Sequence, residues 1–161
     1  MATGNLAPSN EQELMLTRLF DAPRKLVFKA WTDPKCVAEW WGPRHFTNPV
    51  CEVDARPGGA IRIHMRAPNG TVYVMTGVFR EVVEPQRLVF TSAALDDKGN
   101  AMFEVLTTVT FTEQEGKTKQ TMRARVIKST PQSAPYIAGM EQGWTQSLER
   151  LTSYLESQTK E

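Results

Sequence analysis

This sequence of 161 residues lacks most of the features that would assign it a function directly. An excess of either charge is missing: 19 Lys and Arg stand against 18 Asp and Glu, a net charge of +1. Without a basic excess there is no long-range field to draw the chain to nucleic acid or to an anionic membrane. Long apolar runs are missing too. None approaches the roughly 20 residues that a spanning helix needs, and Met1 to Asn10 is polar, without the apolar centre of a signal peptide. Cysteine is scarce. Cys36 and Cys51 make no disulfide framework, so a reduced, cytoplasmic protein is the reading that follows. No repeat, low-complexity tract or Ser/Gly/Pro linker divides the chain. It reads as a loose tail at 1–11 and a single domain over 12–158, long enough to bury about 68–70% of its unfolded surface.

Signatures of chemistry are equally sparse. His45, His64, Cys36 and Cys51 are the soft metal-ligand candidates, and their spacing matches no CxxC, HxxxH or HExxH pattern. No metal or other cofactor is expected. There is no GxSxG elbow, no glycine-rich phosphate loop and no carboxylate pair at an instructive spacing. Glu104 falls on the opposite strand parity from Phe103, Val105 and Phe111. No catalytic residue is assigned.

What is present is periodicity. Glu13 to Phe20 alternates, with Leu14, Leu16, Arg18 and Phe20 against Met15, Thr17 and Leu19, and reads as a first strand. Asp21-Ala22-Pro23 supplies an N-cap and an early proline for a short helix over 23–31. Thr32-Asp33-Pro34 repeats the signal for a second over 34–41, stopped by Gly42-Pro43. From Phe46 to Ile127 the period is two, broken by turn signals at 57–59, 68–70, 84–85, 96–100 and 113–117. Five or six strands joined by short hairpins make an antiparallel sheet, because parallel neighbours need long crossovers.

A three-residue loop at 57–59 would set Asp54 opposite Arg62 and Glu52 opposite His64 on an outer, charge-matched face. The same register pairs Ala55 with Ile61, Val53 with Ile63 and Cys51 with Met65 on the inner face. At Asn69-Gly70 a two-residue turn and a longer loop both fit, and apolar burial favours Tyr73, Met75 and Phe79 facing inward.

After Pro135 the period returns to 3.6. Ile137, Met140, Trp144, Leu148, Leu151 and Leu155 form one apolar stripe, with Gly139, Gly143 and Ser147 on an adjacent line. Glycine inside a helix costs about 1 kcal/mol relative to Ala. Either the helix backbone approaches the sheet there, or space is left for something else. A helix of about 20 residues is roughly 30 Å long and only 10–12 Å wide. Seven strands span about 29 Å. The sheet must curl around so narrow a helix, which leaves space at an open end. Trp40-Trp41-Gly42-Pro43 lies beside that expected mouth. Core closure accounts for Trp31 and for at least one of Trp40 and Trp41.

Four segments then take on meaning together: RLFDAPRKLVFKAWTDPKCVAEWWGP (18–43), VDARPGG (53–59), GVFREVVEPQRLVFT (77–91) and GMEQGWTQSLERLTSYL (139–155). In this order they resemble the START-like (SRPBCC) superfamily, specifically the family named for the activator of heat-shock protein 90 ATPase, from about Thr17 to Leu155. The resemblance implies an α+β helix-grip fold: a curved antiparallel sheet of six or seven strands around a long C-terminal helix, with a cavity between them. Superfamily members bind lipids, polyketides, hormones and other apolar compounds, and a few are cyclases or hydrolases. The eponymous co-chaperone has an additional N-terminal domain with no counterpart here, so its name by itself does not carry a chaperone function over.

Three functions are therefore in view. The first is binding or carriage of an apolar small molecule: a lipid, polyketide or aromatic compound. Its expected contacts are Cys51, Ile63, Met65, Tyr73, Met75, Phe90, Val105, Met122, Met140 and Trp144, with Trp41 and His45 at the entrance. Tyr73, Thr107 and His45 would orient a polar group. The second is a protein-interaction module linked to chaperones or to stress response. The third is a small cyclase or hydrolase, which needs convergent polar groups with shifted pKa values in the same cavity.

Overall fold

Alternating apolar residues and short turns build the sheet, and a computed structural model describes it over residues 7–8 and 13–159. The strands are β1 (Ala7–Pro8), β2 (Glu13–Phe20), β3 (Thr47–Val53), β4 (Ala60–Arg66), β5 (Val72–Val83), β6 (Arg87–Leu95), β7 (Ala101–Gln114) and β8 (Lys117–Ser129). Every pairing among the described residues is antiparallel, in the order β3-β4-β5-β6-β7-β8, with β2 on the far side of β8. Ala7–Pro8, inside the expected tail, also pairs with β8, opposite Ser129 and Lys128. The rest of that tail lies outside the described residues.

The strands β2 and β3 are the two edges, and two helices carry the chain between them. They are α1 (Arg24–Thr32) and α2 (Pro34–Trp40). The Asp33 side chain accepts from the Lys35 N–H and caps α2, with Pro34 in its first turn, as the sequence predicts. Asp21 does not cap α1. Pro23 stands at that position without a side-chain bond, so the ring that presets φ takes the place of a carboxylate cap.

The 57–59 hairpin differs from expectation. Glu52 faces Arg62, Cys51 faces Ile63 and Val53 faces Ile61, two residues out of the predicted register. A shift of two keeps every side chain on its predicted face. Its cause is a third strand. The Gly58 N–H donates to the Phe79 carbonyl (2.8 Å) and the Phe79 N–H to the Gly59 carbonyl (2.9 Å), so the loop is laid against β5 rather than closed tightly. Asp54 bonds Arg56 at 2.8 Å instead of Arg62, which donates to His64. The 68–70 turn is the longer loop, with Ala67 and Thr71 closing it.

Register shifts in four ladders, at Thr47/Val50, Phe79/Glu81, Ala94/Leu95 and Glu104/Val105, add bends that help curl the sheet. The C-terminal stripe is not one unbroken helix. It divides into α3 (Ala134–Ala138) and α4 (Met140–Thr159) at Gly139, which has φ −88° and ψ 0°. Leu148, Leu151 and Leu155 are buried, whereas Ile137, Met140 and Trp144 are only partly covered. Among the described residues no helix is long and apolar enough to cross a membrane.

Gly59 is where backbone meets backbone. A Cβ there would lie 1.9 Å from the Asp54 carbonyl oxygen, while neighbouring Gly58 (φ +83°) has open space around it. Gly59→Ala is expected to cost roughly 2–4 kcal/mol in urea unfolding. Gly58→Asn should cost roughly 1 kcal/mol or less. Equal costs would show that the turn does not depend on the close approach.

Candidate functional site

All four tryptophans of the chain meet at the centre of the concave face. Trp31 is 4.8 Å from Trp40, 6.3 Å from Trp41 and 5.9 Å from Trp144, ring centre to ring centre. Its indole N–H donates to Gln120 Oε1 (2.7 Å), and that of Trp40 to the Ala30 carbonyl (2.9 Å). Buried indoles need such partners. Trp31 and Trp40 belong to the core, as expected. Trp41 and Trp144 face a pocket.

The rows of inward side chains explain why the interior is filled on one side of this cluster and hollow on the other. Toward the 115–116 turn, Leu88, Val109 and Met122 align across β6, β7 and β8, followed by Phe111 beside Gln120. Phe28 meets Phe111 edge-on at 5.6 Å, and the core is closed. Toward the 68–70 and 96–100 turns the aligned residues include Gly77, Ser92 and Val105, then Met75, Ala94 and Phe103. The short side chains of Ser92 and Ala94 on the sheet here line the same space as Gly143 and Ser147 on α4. A Cβ on Gly143 would meet nothing nearer than Pro43, at 4.0 Å. The helix glycines do not serve a close approach; Gly143 leaves room. The result is a pocket of about 380 Å³.

Seven of the residues expected at the site line this pocket: Trp41, Met65, Tyr73, Met75, Val105, Met140 and Trp144. Six lie elsewhere. Phe90 is packed against Trp31 and Phe79, behind the tryptophans. Met122 and Thr107 are fully covered on the filled side, and among the described residues the Thr107 hydroxyl has no hydrogen-bond partner. Ile63 is buried core, and Cys51, opposite it on the edge strand, packs against that core. His45 has φ +71° in the 42–46 loop and its side chain is exposed.

Several wall residues escaped the sequence reading. Phe103 and Ala94 follow from strand parity. Ser92 and Ala94 carried a signal, since two small residues on an inward strand face open space. Met102 and Leu95 flank the β6–β7 irregularity and break parity, so alternation could not find them. Phe46 and Tyr136 lie in a loop and on α3. Phe46 stands 6.2 Å from Tyr73, and Phe103 is 6.4 Å from Tyr136. Tyr73 and Tyr136, 38% and 45% exposed, mark the mouth.

One cation holds the wall formed by Trp41, Gly42 and Pro43. Arg150 Nη1 donates to the carbonyls of all three, at 2.9–3.0 Å, and Nη2 to that of Glu39. A guanidinium at the C-terminus of α2 also complements the helix dipole. Burial lowers its pKa, opposed by Glu39. Asn48 adds donors to the Ala38 and Trp41 carbonyls, and Arg44 is ion-paired with Glu149.

Burial, with Glu52 beside it, pushes the Cys51 thiol up to about 11, which is the opposite of nucleophile activation. Burial and a hydrogen bond with Cys36 raise the Tyr154 phenol. Neither these groups nor Arg150 lines the pocket. Among the described residues no three of His, Cys, Asp and Glu are grouped to hold a metal ion.

A curled antiparallel sheet gripping a C-terminal helix, with space between them, defines the START-like helix-grip class. The pattern of the Activator of Hsp90 ATPase homolog 1-like protein family matches residues 21–156, and the chain belongs to that family. A protein from Nitrosomonas europaea is similar in structure at TM-score 0.79 and 27% identity, over 95% of this chain and 99% of that one. The AHSA1 protein from Silicibacter pomeroyi gives 0.78 and 25%, over 91% and 99%. A protein from Chromobacterium violaceum gives 0.79 and 28%, over 90% and 98%. No curated protein matches.

Two outcomes test this geometry. Arg150→Met should cost about 2 kcal/mol in unfolding experiments and speed hydrogen exchange of the 42–46 amides. Unchanged exchange would show that the clamp is idle. Below its raised pKa Cys51 stays a neutral thiol. Its alkylation should therefore be slow at pH 8 and accelerate as pH rises toward 11. Reaction at pH 8 as fast as a free thiol would contradict the burial.

Proposed function

We propose that the chain binds or carries an apolar small molecule in the pocket between β4–β7 and the α3–α4 helix pair. The observation that carries this reading is an interior volume of about 380 Å³ whose walls are almost entirely apolar and aromatic. That volume falls in the range of small-molecule sites, roughly 300–1,000 Å³. Leaving it empty forfeits dispersion contacts along every wall, which a bound apolar molecule restores. Binding of apolar compounds elsewhere in the START-like superfamily supports the same reading. The proposed contacts are the seven expected residues above, joined by Phe46, Ala94, Met102, Phe103 and Tyr136.

A cyclase or hydrolase is less well supported, because among the described residues no wall residue is Asp, Glu, His, Cys, Lys or Arg. A cytoplasmic location is proposed on the balanced charge and the two free, half-buried cysteines. Trp41 and Trp144 supply the test. Titration with a panel of fatty acids, polyketides and aromatic compounds should find members that quench their fluorescence saturably. Ala94→Phe, which fills the floor, should weaken that response by about tenfold or more. If no compound gives a saturable change, or the filled variant binds equally well, the reading is wrong.

A further inference from the structure

The walls carry information about what enters. Among the described residues nineteen line the pocket; six are aromatic and four are methionine, and none of them is charged. The guanidinium behind the Gly42 wall is turned away. Arg150 lies behind Gly42, where a Cβ on that glycine would sit 3.9 Å from Nη1, and its Nη1 and Nη2 groups donate to carbonyls within 39–43. Arg44 is engaged by Glu149. A carboxylate drawn into this space would lose its water and find no cation, a cost that a neutral molecule escapes.

We infer that the pocket selects an uncharged, planar aromatic ligand and discriminates against carboxylates, free fatty acids included. This rests on the binding reading above and narrows it. Aromatic pairs frame the space: Trp41 with Trp144 at 5.2 Å, Phe46 with Tyr73, and Phe103 with Tyr136. Thioether sulfur packs favourably against rings, and Met65, Met75, Met102 and Met140 supply four. A rigid ring also loses less freedom on entry than an acyl chain. Ser147 donates its own O–H to the Gly143 carbonyl, which leaves its oxygen as an acceptor. The ligand group that suits it is a neutral donor such as a phenol.

Calorimetric titration of the full chain with 2-naphthol, 2-naphthoate, decanol and decanoate at pH 7.5 tests this. Naphthol should bind about tenfold or more tighter than naphthoate, and decanol tighter than decanoate. Lowering the pH toward 5, where a carboxylic acid begins to protonate, should strengthen naphthoate binding and leave naphthol unchanged. Binding of none of the four would overturn the proposed function itself. Acids binding as tightly as their neutral partners would overturn the inference and leave that function standing. Decanol far tighter than naphthol would overturn the preference for rings.

Discussion

One helix has to shield a sheet of seven long strands, and a cylinder about 10–12 Å across cannot cover so wide a surface. Everything else in the fold answers that mismatch. Irregularities in four ladders help bend the strands inward. The crossover helices α1 and α2 bring Val27, Phe28, Trp31, Val37 and Trp40 into the gap beside α4. Even so, the apolar volume available fills only part of the space. The four indoles mark where filling stops.

Part of this was legible in the chain because local and global preferences agree there. The alternation over Glu13–Phe20 gave that strand to the residue, and Asp33-Pro34 marked the start of α2. Face assignments survived even where pairing slipped, since the β3–β4 ladder moved by two. What could not be read depended on third parties. The 55–59 loop takes its shape from Phe79, twenty residues beyond its end, and no pattern within the hairpin reveals that.

The site shows the same division. Inward-facing residues could be named from parity, but Phe90, Thr107 and Met122 look no different in sequence from Met75 and Val105. Which of them faces a hollow depends on what the helices lay over it, as Trp31 of α1 does over Phe90. Smallness was the missed cue: Ser92, Ala94 and Gly143 produce the space by what they lack. Residues beside a ladder irregularity, such as Met102, are hidden from any argument based on alternation.

The tryptophan partition separates two tasks within one domain. Substitutions at wall positions such as Tyr73, Leu95, Met102 and Tyr136 alter the hollow end while the packed rows on the other side keep the chain folded. A lineage could thus exchange one guest for another by drift at those walls, without first accumulating surplus stability. Sequence divergence around a retained scaffold is what such a separation permits.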